Sequence, residues 1–292
     1  MTNKDLISQY VDTGIGIPEY QFDKLSSNDK RTYLRKMRIS ILNDYRYVEY
    51  YYGELPEDIQ LSVVNKNENL IVRIKNPTEK VQLVAVNKNG WIVRDIKNPT
   101  EKVQIAAVKN QYKSIDYIKN PSEQVQLAAV NYNGDSIQYI NNPSEQVQLA
   151  AVNNDGNAIR YIDNPSEELQ LAAVKESPYS IGWIDNPSEE LQLYAIRWDE
   201  RIISAIKNPT EKVQSLLLDK ILKNGDYKLA QYISSEKIQM LAVEKCFENA
   251  KEISSVNYVL INNLVTPSEN TLKLMLGLQN KIVYNSMKQN DK

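Results

Sequence analysis

Carboxylates are the residues of this chain whose spacing first suggests chemistry. Glu79, Glu101, Glu123, Glu145, Glu167, Glu189 and Glu211 stand 22 residues apart, and paired acids serve general acid and base catalysis when their surroundings push their pKa values apart. A nucleic-acid glycosylase would set such a carboxylate in a cationic groove, whereas these acids cluster with other acids. No catalytic residue is assigned, and a non-enzyme is expected. The rest of the usual repertoire is missing: 292 residues contain no histidine and one cysteine, Cys246. That excludes hydrolases with an imidazole base, histidine-ligated zinc and an internal disulfide. Gly14-x-Gly16 lacks the third glycine of a dinucleotide fingerprint and reads as a turn. No cofactor and no metal are expected.

The glutamates belong to a repeat that explains them structurally. Asn-Pro recurs at Asn76, Asn98, Asn120, Asn142, Asn164, Asn186 and Asn208, and the text that follows is Ser/Thr-Glu-x-Val/Leu-Gln-Leu-Ala-Ala-Val with few changes. Counting the asparagine as place 1, the glutamate is place 4. The sequence predicts asparagine as helix N-cap, proline as first helical residue and the glutamate reaching back to the cap amide. A helix of roughly 11 residues follows and stops at turn signals such as Asn133-Gly134 and Asp155-Gly156. Six residues with apolar side chains three apart come next, enough for one or two turns of α or 3₁₀ helix. The first helix leaves little polar arc, so copies of itself must cover it. The glutamines at place 7, Gln82 through Gln214, sit beside apolar positions and are expected to bond to the next unit or to an adjoining turn.

The fold expected is therefore all-α, a solenoid of 22-residue helical hairpins with divergent helical caps. Its parts are an N-terminal cap over 1–53, a solenoid over 54–233 that is regular to 207 and degenerate over 208–233, and a C-terminal cap over 234–292. Within the last, Ser234-Ser235-Glu236 and Thr266-Pro267-Ser268-Glu269 look like further repeat openings. The Asn-Pro-Ser-x-x-Val/Leu opening, alanine-rich first helix and stunted second helix resemble short α-helical solenoid repeats of the leucine-rich-variant and HEAT-like kinds. Arrays of this type also resemble those in phage and bacterial proteins of unassigned role. The resemblance implies an architecture, and it supplies no catalytic residues.

Places that vary between units are where a binding surface would be written. Place 5 reads Asp58, Lys80, Lys102, Gln124, Gln146, Glu168, Glu190, Lys212, and place 22 reads Lys75, Lys97, Lys119, Asn141, Asp163, Asp185, Lys207. The two series are expected to coincide in space, giving an acidic patch of Asp163, Glu168, Asp185 and Glu190 and a basic one of Lys75, Lys80, Lys97, Lys102 and Lys119. A solvated edge is the plainer account of the same charges. Place 20 carries Tyr117, Tyr139, Tyr161 and Trp183, with Tyr132, Tyr179 and Trp198 near the turns. Nineteen tyrosines against two phenylalanines suit amphipathic contact surfaces. A ladder of rings wedged between neighbouring short helices is the structural alternative, and the spacing favours it.

The N-terminal segment has its own signal. From Ser27 the pattern predicts a helix with Arg31, Arg35 and Arg38 on one stripe and Leu34, Met37 and Ile41 on another, followed by Tyr45, Tyr47, Tyr50, Tyr51 and Tyr52. Arginines beside rings could meet single-stranded nucleic acid or an acidic protein, and a cap over the first repeat is the structural reading. Formal charge is only −2, so any electrostatic function is local. No stretch approaches the roughly 18 to 20 apolar residues of a membrane span. No membrane partner is expected, and a start without an apolar core together with a lone thiol points to the cytoplasm. The leading expectation is a non-catalytic scaffold that binds a protein partner, in its narrowest form a phage-encoded inhibitor that sequesters a bacterial defence or host protein. A nucleic-acid binder using the basic helix and the lysine-bearing early repeats is the alternative.

Overall fold

A computed structural model describes residues 3–13, 17–44, 55–248, 258–264 and 266–290. Gly14, Gly16 and the tyrosines at 45, 47, 50, 51 and 52 lie outside them. Among the described residues there is no strand: α-helices alternate with 3₁₀ helices in a repeat arrangement, and the protein is an all-α solenoid. The chain divides into two compact units, Met1–Asn154 and Asp155–Lys292.

In the N-terminal unit the first helices of the repeats are Glu57–Lys66, Glu79–Lys88, Glu101–Asn110, Glu123–Tyr132 and Glu145–Asn154. Between them lie six-residue 3₁₀ helices such as Tyr112–Tyr117 and Gly134–Tyr139. Ten residues are too few for a helix that stands alone in water. Packing supplies the stability. Val125, Ala129 and Val130 from the first helix and Ile137 and Ile140 from the short one are buried. The same five places are buried in the preceding unit, as Val103, Ala107, Val108, Ile115 and Ile118, and each large one contributes about 1.5 to 3 kcal/mol.

The helix openings differ from the sequence reading. The N-cap is the serine or threonine at place 3, whose hydroxyl accepts the amide three residues on, as Thr78 does from Val81 and Ser122 from Val125. Asparagine stands two residues earlier. In Asn98, Asn120 and Asn142 it has φ of 53°, 50° and 50°, a left-handed conformation that asparagine tolerates better than most side chains. Glutamate is the first helical residue, so it cannot close a capping box. Its carboxylate instead accepts from the cap hydroxyl of the next repeat. Thr78 Oγ1 donates to Glu57 at 2.9 Å and Thr100 Oγ1 to Glu79 at 2.9 Å. Ser122 does the same to Glu101, and Ser144 to Glu123.

The glutamine reading holds. Gln104 donates to the Pro99 carbonyl at 2.9 Å and Gln126 to that of Pro121 at 3.0 Å. Gln60 also accepts the Thr78 amide of the next repeat at 3.1 Å. Each turn is made by a single extended residue. Asn89 ends the first helix by donating its amide to Ala85 O, and its side chain then caps the short helix by accepting the Trp91 amide at 3.1 Å. The glycine after it is there for space, because a Cβ on Gly90 would stand 2.5 Å from the Ala107 carbonyl oxygen. At the front of this unit Asn3–Thr13, Glu19–Phe22 and Ser27–Asn43 form helices around Ile7, Ile17, Leu25, Tyr33 and Met37. The Ser27–Asn43 helix packs on Glu57–Lys66.

The C-terminal unit continues the scheme with first helices Glu167–Glu176, Glu189–Trp198, Glu211–Asn224 and Glu236–Phe247, then Tyr258–Asn262 and Glu269–Asn290. The suspected late openings are genuine by their bonding. Ser235 donates to Glu211 at 3.0 Å and Ser268 to Glu236 at 2.9 Å, while Gln239 accepts the Ser268 amide at 3.3 Å. Thr266, in the place of the asparagine, also has positive φ, 31°.

Candidate functional site

Two kinds of surface stand out, and the fold positions each differently. The short helices turn their isoleucines inward, which pushes the place-20 ring outward. Tyr117 is 45% exposed and meets Trp91 edge to face at 5.6 Å between ring centroids. Tyr139 is half-buried. In the C-terminal unit Tyr161 and Trp183 (55% exposed) share one cation, the Arg160 guanidinium lying 4.6 Å and 5.9 Å from their ring centroids. Such contacts hold ring faces in place at about 0.5 to 1 kcal/mol each. Tyr117, Tyr161 and Trp183 therefore keep part of each ring in water while touching a ring or a cation on the short helices.

The remaining predicted rings are exposed too. Tyr132 and Trp198 end their first helices at 58% and 65% exposure. The exposed Tyr179 hydroxyl lies 3.4 Å from Asp199. Asp199 itself is pulled down to about 2, first by its bonds from the Arg201 side chain.

The charged places are exposed, but their partners differ from the expected patches. Lys80 and Lys102 bond to Glu57 and Glu79 of the preceding repeat at 3.3 Å and 3.4 Å, and Lys212 to Glu189 at 3.3 Å. The threonine hydroxyl first and the lysine second hold Glu57, Glu79 and Glu189 below the usual glutamate range. Place-5 lysines thus pair with place-4 glutamates. The place-22 residue Lys207 pairs with Asp185 one repeat back, at 3.2 Å. Lys75, Lys97 and Lys119 are exposed in one unit, and Asp163, Glu168 and Glu190 in the other. Arg31 and Arg35 are exposed as drawn from the sequence, whereas Arg38 reaches Asp58 of the first repeat at 3.9 Å.

Sequence reasoning missed the second surface, the outer face of the first helices, formed by places 5, 8, 9 and 12. In the C-terminal unit it hollows into a groove of about 950 Å³, with Ile238, Met240 and Leu241 among its lining residues and Glu189, Glu211, Glu236 and Glu244 around it. A smaller hollow of about 550 Å³ lies beside Leu171, Leu193, Tyr194 and Arg197. Its signal was present at place 8, which is leucine or isoleucine from Leu61 to Leu193 and becomes Ser215 at the groove.

The lone thiol is buried, which pushes Cys246 up to about 11 and keeps it from being a thiolate at neutral pH. Among the described residues no cluster of acids and thiols could hold a metal ion, and no helix is long and apolar enough to cross a membrane. No family model, curated protein or solved structure matches this chain at a significant level.

Proposed function

We propose that this protein is a non-catalytic binding scaffold that holds a protein partner against its exposed rings. The observation that carries this reading is the outward placement of Tyr117, Tyr161 and Trp183 on helices whose other face is core. A ring fixed on a buried backbone loses little further freedom on binding, which is why tyrosine and tryptophan concentrate at interfaces. The narrower reading, a phage-encoded inhibitor that sequesters a bacterial defence or host protein, rests on the resemblance of the repeats alone. A Tyr117→Ala/Tyr161→Ala/Trp183→Ala variant, matched to wild type in thermal unfolding, is compared in capture from bacterial lysate. The expected result is a protein retained by wild type and lost by the variant. Equal recovery by both sinks the ring-face reading.

Nucleic acid is the less favoured ligand because Lys80 and Lys102 are bonded to glutamates, which repel phosphate. Of the cations that alternative names, Lys80 and Lys102 are paired and Arg38 reaches Asp58, which leaves Arg31, Arg35, Lys75, Lys97 and Lys119 exposed. It predicts binding that falls steeply with added salt.

A further inference from the structure

The groove of the C-terminal unit carries a second assignment that does not depend on the rings. Along the first helices, place 8 holds a leucine or isoleucine in seven successive units, and Ser215 breaks that run. A serine in a row of leucines leaves the side-chain space open. The void lies where the Glu211–Asn224 and Glu236–Phe247 helices run side by side, with Ser215 on the first, and Met240 and Leu241 on the second. An apolar hollow of this kind favours an apolar side chain supplied from outside.

The rim selects what carries that side chain. Four glutamates, Glu189, Glu211, Glu236 and Glu244, and two lysines, Lys212 and Lys237, line it. Lys212 is bonded to Glu189 at 3.3 Å and Lys237 lies 3.8 Å from Glu211. Among the described residues no lysine or arginine pairs with Glu236 or Glu244, so the rim keeps a net negative charge. Extended peptide bound here would find no sheet edge for its backbone amides and carbonyls, and burying them unpaired is costly. A helix satisfies its own backbone and arrives with one apolar stripe and one charged stripe.

We propose that this groove binds a basic amphipathic helix of a partner protein, with a leucine or methionine seated in the space opened by Ser215 and lysines or arginines facing Glu236 and Glu244. The probe is a fluorescein-labelled helical peptide of leucine and lysine, followed by anisotropy on the full-length protein, with a leucine–glutamate peptide as the control. Wild type is expected to bind the cationic peptide and to leave the acidic one unbound. Ser215→Leu restores the residue type of the other repeats, so it keeps the fold while filling the hollow, and weakens binding about tenfold. Glu236→Lys/Glu244→Lys weakens it by a similar factor and flattens its salt dependence. Equal affinity of wild type and Ser215→Leu for the cationic peptide, or no binding by wild type, overturns the assignment. Sedimentation is the further check: a dimer of wild type that Ser215→Leu converts to monomer gives the groove to a second copy of the chain and also overturns it.

Discussion

The outer faces of the first helices in the two units follow one rule and depart from it differently. In the N-terminal unit place 8 is Leu61, Leu83, Ile105, Leu127 and Leu149, each half-buried. In the C-terminal unit it is Leu171 exposed, Leu193 buried, Ser215 and then Met240. In that mixed stretch lie the groove beside Ser215 and Met240 and the smaller hollow beside Leu171 and Leu193. The contrast teaches that in a repeat array a binding site can be made by omission, since one small residue among large ones widens the space between neighbouring first helices, as Ser215 does at the larger of the two hollows. The two units also use glycine differently. Gly90 is buried against a neighbouring backbone, and Gly225 caps Glu211–Asn224 in a left-handed conformation with φ 78° and open space around it.

Four substitutions and an acid titration test that contrast. The largest effect is expected for Gly90→Ala, whose methyl group would meet the Ala107 carbonyl at 2.5 Å. Urea denaturation should show a loss of about 3 kcal/mol, the upper end of the cost of overpacking. Next comes Leu127→Ser, which copies the Ser215 departure into the even face and should cost about 1 to 2 kcal/mol for a half-buried leucine. The reverse change, Ser215→Leu, should raise stability slightly in the same assay. If both changes lowered stability alike, Ser215 would not mark a hollow. Gly225→Ala should cost about 1 kcal/mol, through backbone strain alone.

The smallest effect concerns acid. Glu57, Glu79 and Glu189 are held below the usual glutamate range by hydroxyl and lysine bonds to their charged form. A depressed folded pKa stabilises the fold fully above the unfolded value of about 4.3, and that contribution disappears as pH falls through the folded pKa. Thr78→Val/Thr100→Val removes two of these hydroxyls and Thr210→Val the third. Melting temperatures between pH 5 and 3 should therefore fall less steeply than in wild type, more visibly in the double variant. Parallel profiles would show that the hydroxyls do not couple to the carboxylates.

Much of this architecture was legible because it repeats. The 22-residue period, the long and short helices and the glutamine bonds follow from periodicity and from the need to pair buried amides. The helix openings were misread for a physical reason. Asparagine, serine or threonine, and glutamate can each bond a helix start, and they stand within four residues of one another. Sequence cannot say which of them meets the first amide. The left-handed φ of Asn98 and the outward turn of the Glu101 carboxylate decide it. Tyr117 and Trp183 were equally ambiguous, since a ring at constant spacing suits both a wedge and a surface, and the contacts with Trp91 and Arg160 are not written in the spacing. The groove was harder to read because place 8 is leucine or isoleucine in seven units and changes once, to Ser215, where the array is already degenerate.

The glutamate–hydroxyl rungs have a consequence for how such a chain can change in length. Each rung joins place 4 of one unit to place 3 of the next, and its spacing is 21 residues from Glu101 to Ser122, 24 from Glu211 to Ser235 and 32 from Glu236 to Ser268. The bond is indifferent to how much chain loops out between its ends. Duplication or loss of a whole unit by recombination would hand each carboxylate an equivalent hydroxyl, so the gene can gain or shed repeats without an unpaired join. A single residue inserted inside a first helix has no such escape, because it turns every later side chain of that helix by about 100° away from its neighbours.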